Sequence, residues 1–164
     1  MKTTASLVAA CALLSVSVFA TTEQKTPVHK LSLAEFVKQF EGWNPRPYND
    51  YKQLSIGYGT KAKKGDKVIC KKEGERRLGQ ELAKHRQRVL DHGKRHGYEW
   101  SERQVDALTS FDYNTGAIAR LTNQGTRTNA EIAEIMPLYR KSGGKVLRGL
   151  VKRRAKEVQM FVEG

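Results

Sequence analysis

Two acidic residues and a glycine-rich run lie close together in the segment "FEGWNPRPYNDYKQLSIGYGT", residues 40–60. Glu41 and Asp50 stand nine positions apart within it. Three interpretations compete: a turn between strands with incidental charges, a loop that holds a phosphate group, and a carboxylate pair for acid and base catalysis. The phosphate interpretation is weak, because the P-loop pattern is absent and no helix is predicted to begin after the glycines.

The two carboxyls are predicted to lie in different surroundings. Glu41 ends a helix with an apolar stripe, which places it at the rim of a buried face, where low dielectric favours the uncharged form of a carboxyl. Asp50 follows two prolines in a polar stretch that is predicted to be the tip of a hairpin, where it would stay ionised. One protonated and one ionised carboxyl is the division of labour in glycoside hydrolysis.

Helices are predicted from their capping signals and apolar periodicity. Three capping boxes are Ser32 with Glu35, Ser101 with Gln104, and Thr128 with Glu131. The predicted helices run from Ser32 to Glu41, from about Lys72 to His92, from Ser101 towards Gly116, from Thr128 to an interruption at Pro137, and from about Leu150 to Phe161. The stretch "KRHG" at 94–97 is predicted to be an exposed loop.

Strands are predicted only between residues 46 and 69, where Leu54, Ile56 and Tyr58 alternate with small or polar residues. We expect a hairpin there, with its tip at "YNDYKQ". Strands in one cluster and helices elsewhere predict an α+β fold, with a small antiparallel hairpin or sheet near the N-terminus and a mainly helical lobe.

The first twenty residues, 1–20, read as an export signal, with cleavage after Ala20, or as a retained signal-anchor. Residues 21–164 then form one domain, which is long enough to bury a core. If the signal is cleaved, Cys70 is the one cysteine left in the domain. If the anchor is retained, a disulfide between Cys11 and Cys70 can form in an oxidising compartment.

The chain carries 30 basic and 17 acidic residues, a net charge of +13, which favours a polyanionic partner. Nucleic acid is the least favoured such partner, because no groove-reading or base-stacking motif accompanies the charge. The 4 histidines have no ligand spacing, so neither a metal nor another cofactor is expected. One of Arg153 and Arg154 is predicted to pair with an acid inside the fold.

The motifs "EG" at 41–42, "YND" at 48–50 and "SIGYGT" at 55–60 resemble the catalytic signature of the phage-type lysozymes, the endolysins of glycoside hydrolase family twenty-four. Residues 104–118 resemble the central helix of that family, and residues 143–161 resemble its closing segment. The resemblance spans roughly residues 31–162 and implies a lysozyme-like fold. Together with the apolar segment in residues 1–20, the resemblance also predicts, as one alternative, an endolysin that is held by a signal-anchor until its release.

The resemblance implies an inverting muramidase that hydrolyses the β-1,4 bond between N-acetylmuramic acid and N-acetylglucosamine in peptidoglycan. Glu41 would protonate the glycosidic oxygen, and Asp50 with the Ser55 hydroxyl would orient the attacking water. Ser55 stands where the family usually has Thr, five residues after Asp50 where six is the commoner spacing. Thr60 is therefore a second candidate for the hydroxyl role.

Weaker expectations concern substrate contacts and partners. Tyr48, Tyr58 and Asn114 are candidate substrate-binding residues. We expect a monomer that is exported to the periplasm, acts on peptidoglycan in host cell lysis, and contacts the inner membrane if its N-terminal segment is retained. The competing hypothesis is a catalytically inactive basic protein that binds the wall or the membrane.

Overall fold

The structure is a computed structural model that describes residues 31–50 and 53–164. In chain order its elements are α1 (Leu33–Glu41), β1 (Asn44–Asp50), β2 (Gln53–Gly57), β3 (Thr60–Lys61), α2 (Lys71–His96), α3 (Glu102–Thr115), α4 (Ile118–Leu121), α5 (Asn129–Ile135), a 3₁₀ turn (Met136–Leu138), β4 (Lys141–Ser142), β5 (Lys145–Val146) and α6 (Arg148–Val162). A small sheet precedes a mostly helical remainder, so the predicted α+β fold is confirmed.

All three predicted capping boxes are present, at the starts of α1, α3 and α5. At the first, Ser32 Oγ accepts a hydrogen bond from the Glu35 backbone N–H at 3.3 Å, and Glu35 Oε2 accepts one from the Ser32 N–H at 2.9 Å. Each box satisfies backbone donors that a helix start leaves without intrahelical partners. Gly42, with φ of 68°, ends α1 directly after Glu41.

The predicted hairpin is confirmed, in a three-stranded antiparallel sheet with the order β1-β2-β3. The strand prediction extended too far, since residues 62–69 form no strand. A turn occupies part of that stretch: Asp66 Oδ2 accepts from the Lys63 N–H at 2.7 Å, and Arg77 of α2 donates to the Asp66 carboxylate at 2.5 and 3.0 Å. These polar contacts fix the segment against α2 instead of extending the sheet.

Helix α2 continues four residues beyond its predicted end, to His96, so the prediction of a loop at 94–97 is wrong for its first three residues. Gly97 adopts the left-handed conformation with φ of 73°, and its N–H donates to the Gly93 carbonyl. The last turn is basic, and cations interact favourably with the carbonyl end of a helix.

Helix α3 lies at the centre of the helical part, where α2 and α6 both pack against it. Its residues Val105, Leu108 and Phe111 are buried, and Phe36 and Val37 of α1 belong to the same cluster. Burying one such side chain contributes about 1.5–3 kcal/mol. This core therefore holds the ends of α1 and α6 in a fixed relation to α3.

The segment between α5 and α6 contains one confirmed feature and one that was not predicted. Pro137 interrupts the helix as expected, because α5 stops at Ile135 and a 3₁₀ turn follows. The hairpin of β4 and β5 contradicts the expectation that strands occur only between residues 46 and 69. Gly143 and Gly144 have φ of 54° and 78°, and two positive values suit the tight turn of a hairpin.

The predicted export signal and Cys11 lie in residues 1–30, outside the described part of the chain. Cys70 is exposed and directly precedes α2. Across residues 31–50 and 53–164, no helix combines the length and apolar character that a membrane crossing requires. Signal cleavage, anchor retention and the cysteine pairing all stay predictions.

Candidate active site

Glu41 lies at the edge of the core, as predicted, with 19% of its side chain exposed. Arg153 of α6 donates from Nη1 to Glu41 Oε1 at 2.5 Å, and the Arg153 side chain is only 3% exposed. Charge-assisted hydrogen bonds are short and strong, and water screens a buried pair little. The Glu41 carboxyl is therefore held by a cation that the expectation from burial alone did not include.

Gly59 lies against the other oxygen of the Glu41 carboxyl. A Cβ atom added to Gly59 would lie 3.0 Å from Glu41 Oε2, and the φ of this residue is 77°. The Tyr113 hydroxyl donates to the Tyr58 carbonyl at 2.8 Å, which ties the glycine turn to α3. The glycine-rich run thus allows backbone to approach a carboxyl closely, as glycine is suited to do.

One face of the β1–β2 hairpin carries the predicted base and the predicted hydroxyl. Tyr48 pairs with Ser55, and Asp50 pairs with Gln53, in the antiparallel register. Opposite residues and residues two apart on a strand share a face. Tyr48, Asp50, Gln53 and Ser55 therefore lie on the same side of the hairpin.

The charges of both predicted catalytic carboxyls act on the phenol of Tyr48. Its pKa is raised by burial and, to a smaller degree, by the negative charges of Asp50 and Glu41. Burial and the charge of Glu41 also raise the pKa of Tyr113. The end of α1 and the end of β1 are therefore close enough for the charges of Glu41 and Asp50 to act on the same phenol.

The two candidate hydroxyls lie on different faces of the sheet. Ser55 is buried, and its Oγ accepts a hydrogen bond from Gln53 Nε2 at 3.2 Å. Thr60 pairs with Ile56, which neighbours Ser55 in the strand and therefore faces the opposite way. The Thr60 hydroxyl donates to the Ile56 carbonyl at 2.9 Å, so its proton stabilises the β2–β3 turn.

The other predicted substrate contacts differ in exposure. Tyr48 is half-buried, and Asn114 is exposed, with its Oδ1 accepting from Arg154 Nη2 at 2.5 Å. Tyr58 is only 7% exposed, and its ring packs against Trp43 with 4.9 Å between centroids. The Tyr58 ring therefore offers little surface to a ligand, and all three roles stay predictions.

Three residues of the site were not singled out from the sequence: Gln53, Gly59 and Tyr113. The glycine run was the signal for Gly59, whereas Gln53 and Tyr113 gave none. Of the two arginines that were considered, both pair with acids, Arg153 with Glu41 and Arg154 with Glu157.

Within residues 31–50 and 53–164, no group of three or more His, Cys, Asp or Glu side chains is placed to hold a metal ion. Two of the described histidines lie within hydrogen-bond distance of another side chain. His85 Nδ1 lies 2.8 Å from Asp112 Oδ2, and His92 Nε2 lies 2.7 Å from Thr122 Oγ1.

Sequence comparison with known proteins finds lysozymes of bacteriophages. The family model described as phage lysozyme matches residues 38–157. The endolysin of Bacillus phage PZA is 35% identical over 141 residues, which are 78% of this chain and 52% of that protein. This chain thus spans about half the length of that relative.

Solved structures give the same result for the fold. The muramidase domain of SpmX from Asticaccaulis excentricus superposes with a TM-score of 0.65 at 26% identity, covering 82% of this chain and 98% of that one. The active form of the P1 phage endolysin Lyz has a TM-score of 0.65 at 20% identity, covering 84% and 87%. The predicted lysozyme-like fold is confirmed.

Proposed function

The chain belongs to the phage lysozyme family, and we propose that it is a muramidase that hydrolyses the β-1,4 bond between N-acetylmuramic acid and N-acetylglucosamine in peptidoglycan. The observation that supports the proposal is that the charges of both Glu41 and Asp50 act on the Tyr48 phenol. An inverting glycosidase uses two carboxyls: an acid at the glycosidic oxygen, and a base that activates a water molecule on the opposite face of the sugar. The name of the SpmX muramidase domain supports the same substrate class.

Glu41 is the general acid in this proposal. A guanidinium group has only donors, so Glu41 Oε1 accepts from Arg153 and the transferable proton resides on Oε2, beside Gly59. That proton passes to the glycosidic oxygen as the bond between this oxygen and the anomeric carbon breaks. The fixed guanidinium keeps the proton-bearing oxygen in one orientation.

Asp50 is the general base. It takes a proton from a water molecule while the oxygen of that water bonds to the anomeric carbon on the opposite face of the sugar. This geometry requires the two carboxyls to stand roughly 6.5–9.5 Å apart, and it inverts the anomeric configuration. The exposed position of Asp50 at the end of β1 leaves room for water and sugar.

The bond that is cut can be identified from the products. We expect digestion of purified peptidoglycan, followed by borohydride reduction and mass spectrometry, to give fragments that end in reduced N-acetylmuramic acid. Fragments that end in reduced N-acetylglucosamine would show a glucosaminidase. An intact polymer would contradict the proposal and support the binding protein.

We expect Ser55→Ala to lower the rate of hydrolysis about tenfold, because one hydrogen bond to the attacking water is lost. Thr60→Ala is the matched control, because Thr60 lies on the face of the sheet opposite to Ser55. It should keep the wild-type rate and lose about 1 kcal/mol of unfolding free energy with the bond to the Ile56 carbonyl. Rate assays and denaturant unfolding of both variants test the assignment, which fails if only Thr60→Ala slows hydrolysis.

We expect Gly59→Ala to slow hydrolysis by about 10²-fold, because the added methyl group would displace the Glu41 carboxyl. Gly65→Ala is the matched control: Gly65 also has a positive φ, 91°, but nothing lies within 4 Å of its added Cβ. Both variants should lose about 1–3 kcal/mol through backbone strain. Equal loss of hydrolysis in the two, measured on folded protein, would show that the Glu41 contact is irrelevant.

Peptidoglycan is the proposed partner, and we expect the protein to act on it as a monomer. The net charge of +13 supports attraction to the anionic wall. Attraction of this kind is screened by salt, so binding to wall fragments should weaken between low and physiological ionic strength. Light scattering measures the molar mass of the purified chain in solution and so tests the expectation of a monomer.

Residues 1–20 are proposed to direct export to the periplasm, where the enzyme would contribute to host cell lysis. The lysine followed by an apolar stretch supports this role. A retained segment would tether the enzyme to the inner membrane until release. The intact mass of the exported protein distinguishes the two, since a chain that begins at Thr21 excludes the tether.

A further inference from the structure

The Arg153 guanidinium, which binds Glu41, is held on its other sides by buried groups. Its Nε donates to Glu157 Oε1 at 3.0 Å, and its Nη2 donates to the Ser110 carbonyl at 3.1 Å. Ser110 Oγ donates to the same Glu157 oxygen at 2.6 Å. Because a guanidinium is a rigid plane, fixing Nε and Nη2 also fixes the direction in which Nη1 reaches Glu41.

This polar network is unusually deep for charged groups. Glu157 and Ser110 are 0% exposed, and Arg153 and Arg154 are 2% and 1% exposed. Taking such charges out of water costs several kcal/mol per ion, and apolar replacements of similar volume are often as stable. Stability alone therefore does not account for the network, whereas orientation of Arg153 does.

Arg154 adds a second positive charge beside Glu157. Its Nη1 lies 2.9 Å from Glu157 Oε2, without the geometry of a hydrogen bond. Burial raises the pKa of Glu157, while the two guanidiniums and the hydrogen bonds oppose that rise. Burial lowers the pKa of Arg154 to about 10, so it remains charged at neutral pH. Both oxygens of Glu157 face cations, as a carboxylate requires.

We infer that Glu157, acting through Arg153, is a positioning residue for Glu41: it fixes the direction of Nη1 and neutralises one of the two guanidinium charges next to the catalytic acid. This inference rests on the proposed function of Glu41. It assigns a role to a residue that touches neither substrate nor water.

The sign of the charge effect follows from the groups around the two carboxyls. Around Glu41 and Glu157 these are Tyr48 of β1, Ser110 and Tyr113 of α3, and Arg153 and Arg154 of α6. The charges of Asp50 in β1 and Glu81 in α2 act on the two tyrosines. With Glu157 ionised, its charge and the two guanidiniums sum to +1 beside Glu41. Removing the Glu157 charge raises that sum to +2, so the surroundings of the Glu41 carboxyl become more positive.

The test is Glu157→Gln, which keeps the shape and removes the charge. We expect the alkaline limb of the kcat–pH profile, which reports the general acid, to shift to lower pH by about one unit. KM should stay within about twofold, since binding does not use this group. Glu163→Gln is the matched control, because it removes the charge that pairs with Arg103 at the end of α6 and should leave the limb in place.

Two variants separate geometry from charge. Ser110→Ala and Glu157→Asp keep the negative charge but loosen the hold on Arg153, so kcat should fall about tenfold with the limb unmoved. A folded Glu157→Gln with the wild-type limb and kcat would overturn the inference. If Glu157→Gln does not fold, Glu157→Asp is the test instead, and a wild-type kcat in that variant would overturn the inference.

A readout without substrate separates this inference from the proposed function. The Arg153 Nε–H proton should exchange slowly with solvent in the wild type and at least about tenfold faster in Glu157→Asp, measured by nitrogen-15 NMR. An inactive wild type with a protected Nε–H would overturn the proposed function alone. Rapid exchange of this proton in an active wild type would overturn the inference alone.

Discussion

Glu41→Gln is expected to abolish peptidoglycan hydrolysis, with a loss of about 10²–10⁴-fold, while the protein stays folded. The glutamine amide has the shape of the carboxyl and can still accept from Arg153 through its oxygen. It has no proton to transfer, so the leaving oxygen would depart unprotonated. Turbidity loss of outer-membrane-stripped cells measures the activity, and thermal unfolding measures the fold.

The choice of substrate makes this prediction specific to a general acid. An aryl glycoside of the wall saccharide has a leaving group that needs no proton, so Glu41→Gln should retain most of its activity on that compound. Glu99→Gln, at an exposed position in the connection between α2 and α3, is the matched control and should behave as the wild type on both substrates. Full lysis by a folded Glu41→Gln would contradict the assignment and favour the basic binding protein.

Local signals were sufficient to predict the parts of the site that are near one another in sequence. The capping box at Ser32 and the positive φ at Gly42 set both ends of α1, and they place Glu41 at the rim of the core. The alternation around Ile56 predicted the hairpin that carries Asp50 and Ser55. Each of these features depends on residues within one turn or one hairpin, which is where sequence patterns are informative.

Contacts between distant segments could not be predicted in the same way. Arg153 lies 112 positions after Glu41, and nothing local distinguishes it from Arg154 as the partner of that acid. The register that puts Thr60 on the face opposite to Ser55 depends on how three strands pair, which neither hydroxyl reveals alone. Charged side chains such as Arg153 and Glu157 become buried because α6 packs against α3.

The basic C-terminal helix shows why a charge count is an incomplete guide. In "GLVKRRAKE" the two lysines are exposed, whereas both arginines are buried and paired with acids. Part of the net positive charge is therefore internal structure of the site and does not attract an external polyanion. Long-range attraction to the wall depends on the exposed lysines and arginines instead.

Asp50→Asn is expected to reduce hydrolysis by about 10²–10⁴-fold, because an amide cannot take the proton from the attacking water. The side chain is exposed at the end of β1 and the amide keeps its shape, so the variant should stay folded in thermal unfolding. Unlike Glu41→Gln, this variant should stay inactive on an aryl glycoside, since bond cleavage still needs an activated water. Asp91→Asn, which alters an exposed carboxylate on α2, is the matched control.

The stereochemistry of the product is an independent test of Asp50 as the general base. Attack by a water that Asp50 activates inverts the β-linkage, so proton NMR should show the α-anomer first and the β-anomer only after mutarotation. The β-anomer as the first product would mean that water does not attack the glycoside directly: either a carboxylate about 5–5.5 Å from the acid or the substrate's own acetamido group attacks first. In both cases Asp50 would not be the base for the first water, and the role of Ser55 in orienting that water would be wrong. With the α-anomer first, the loss in Asp50→Asn belongs to the base.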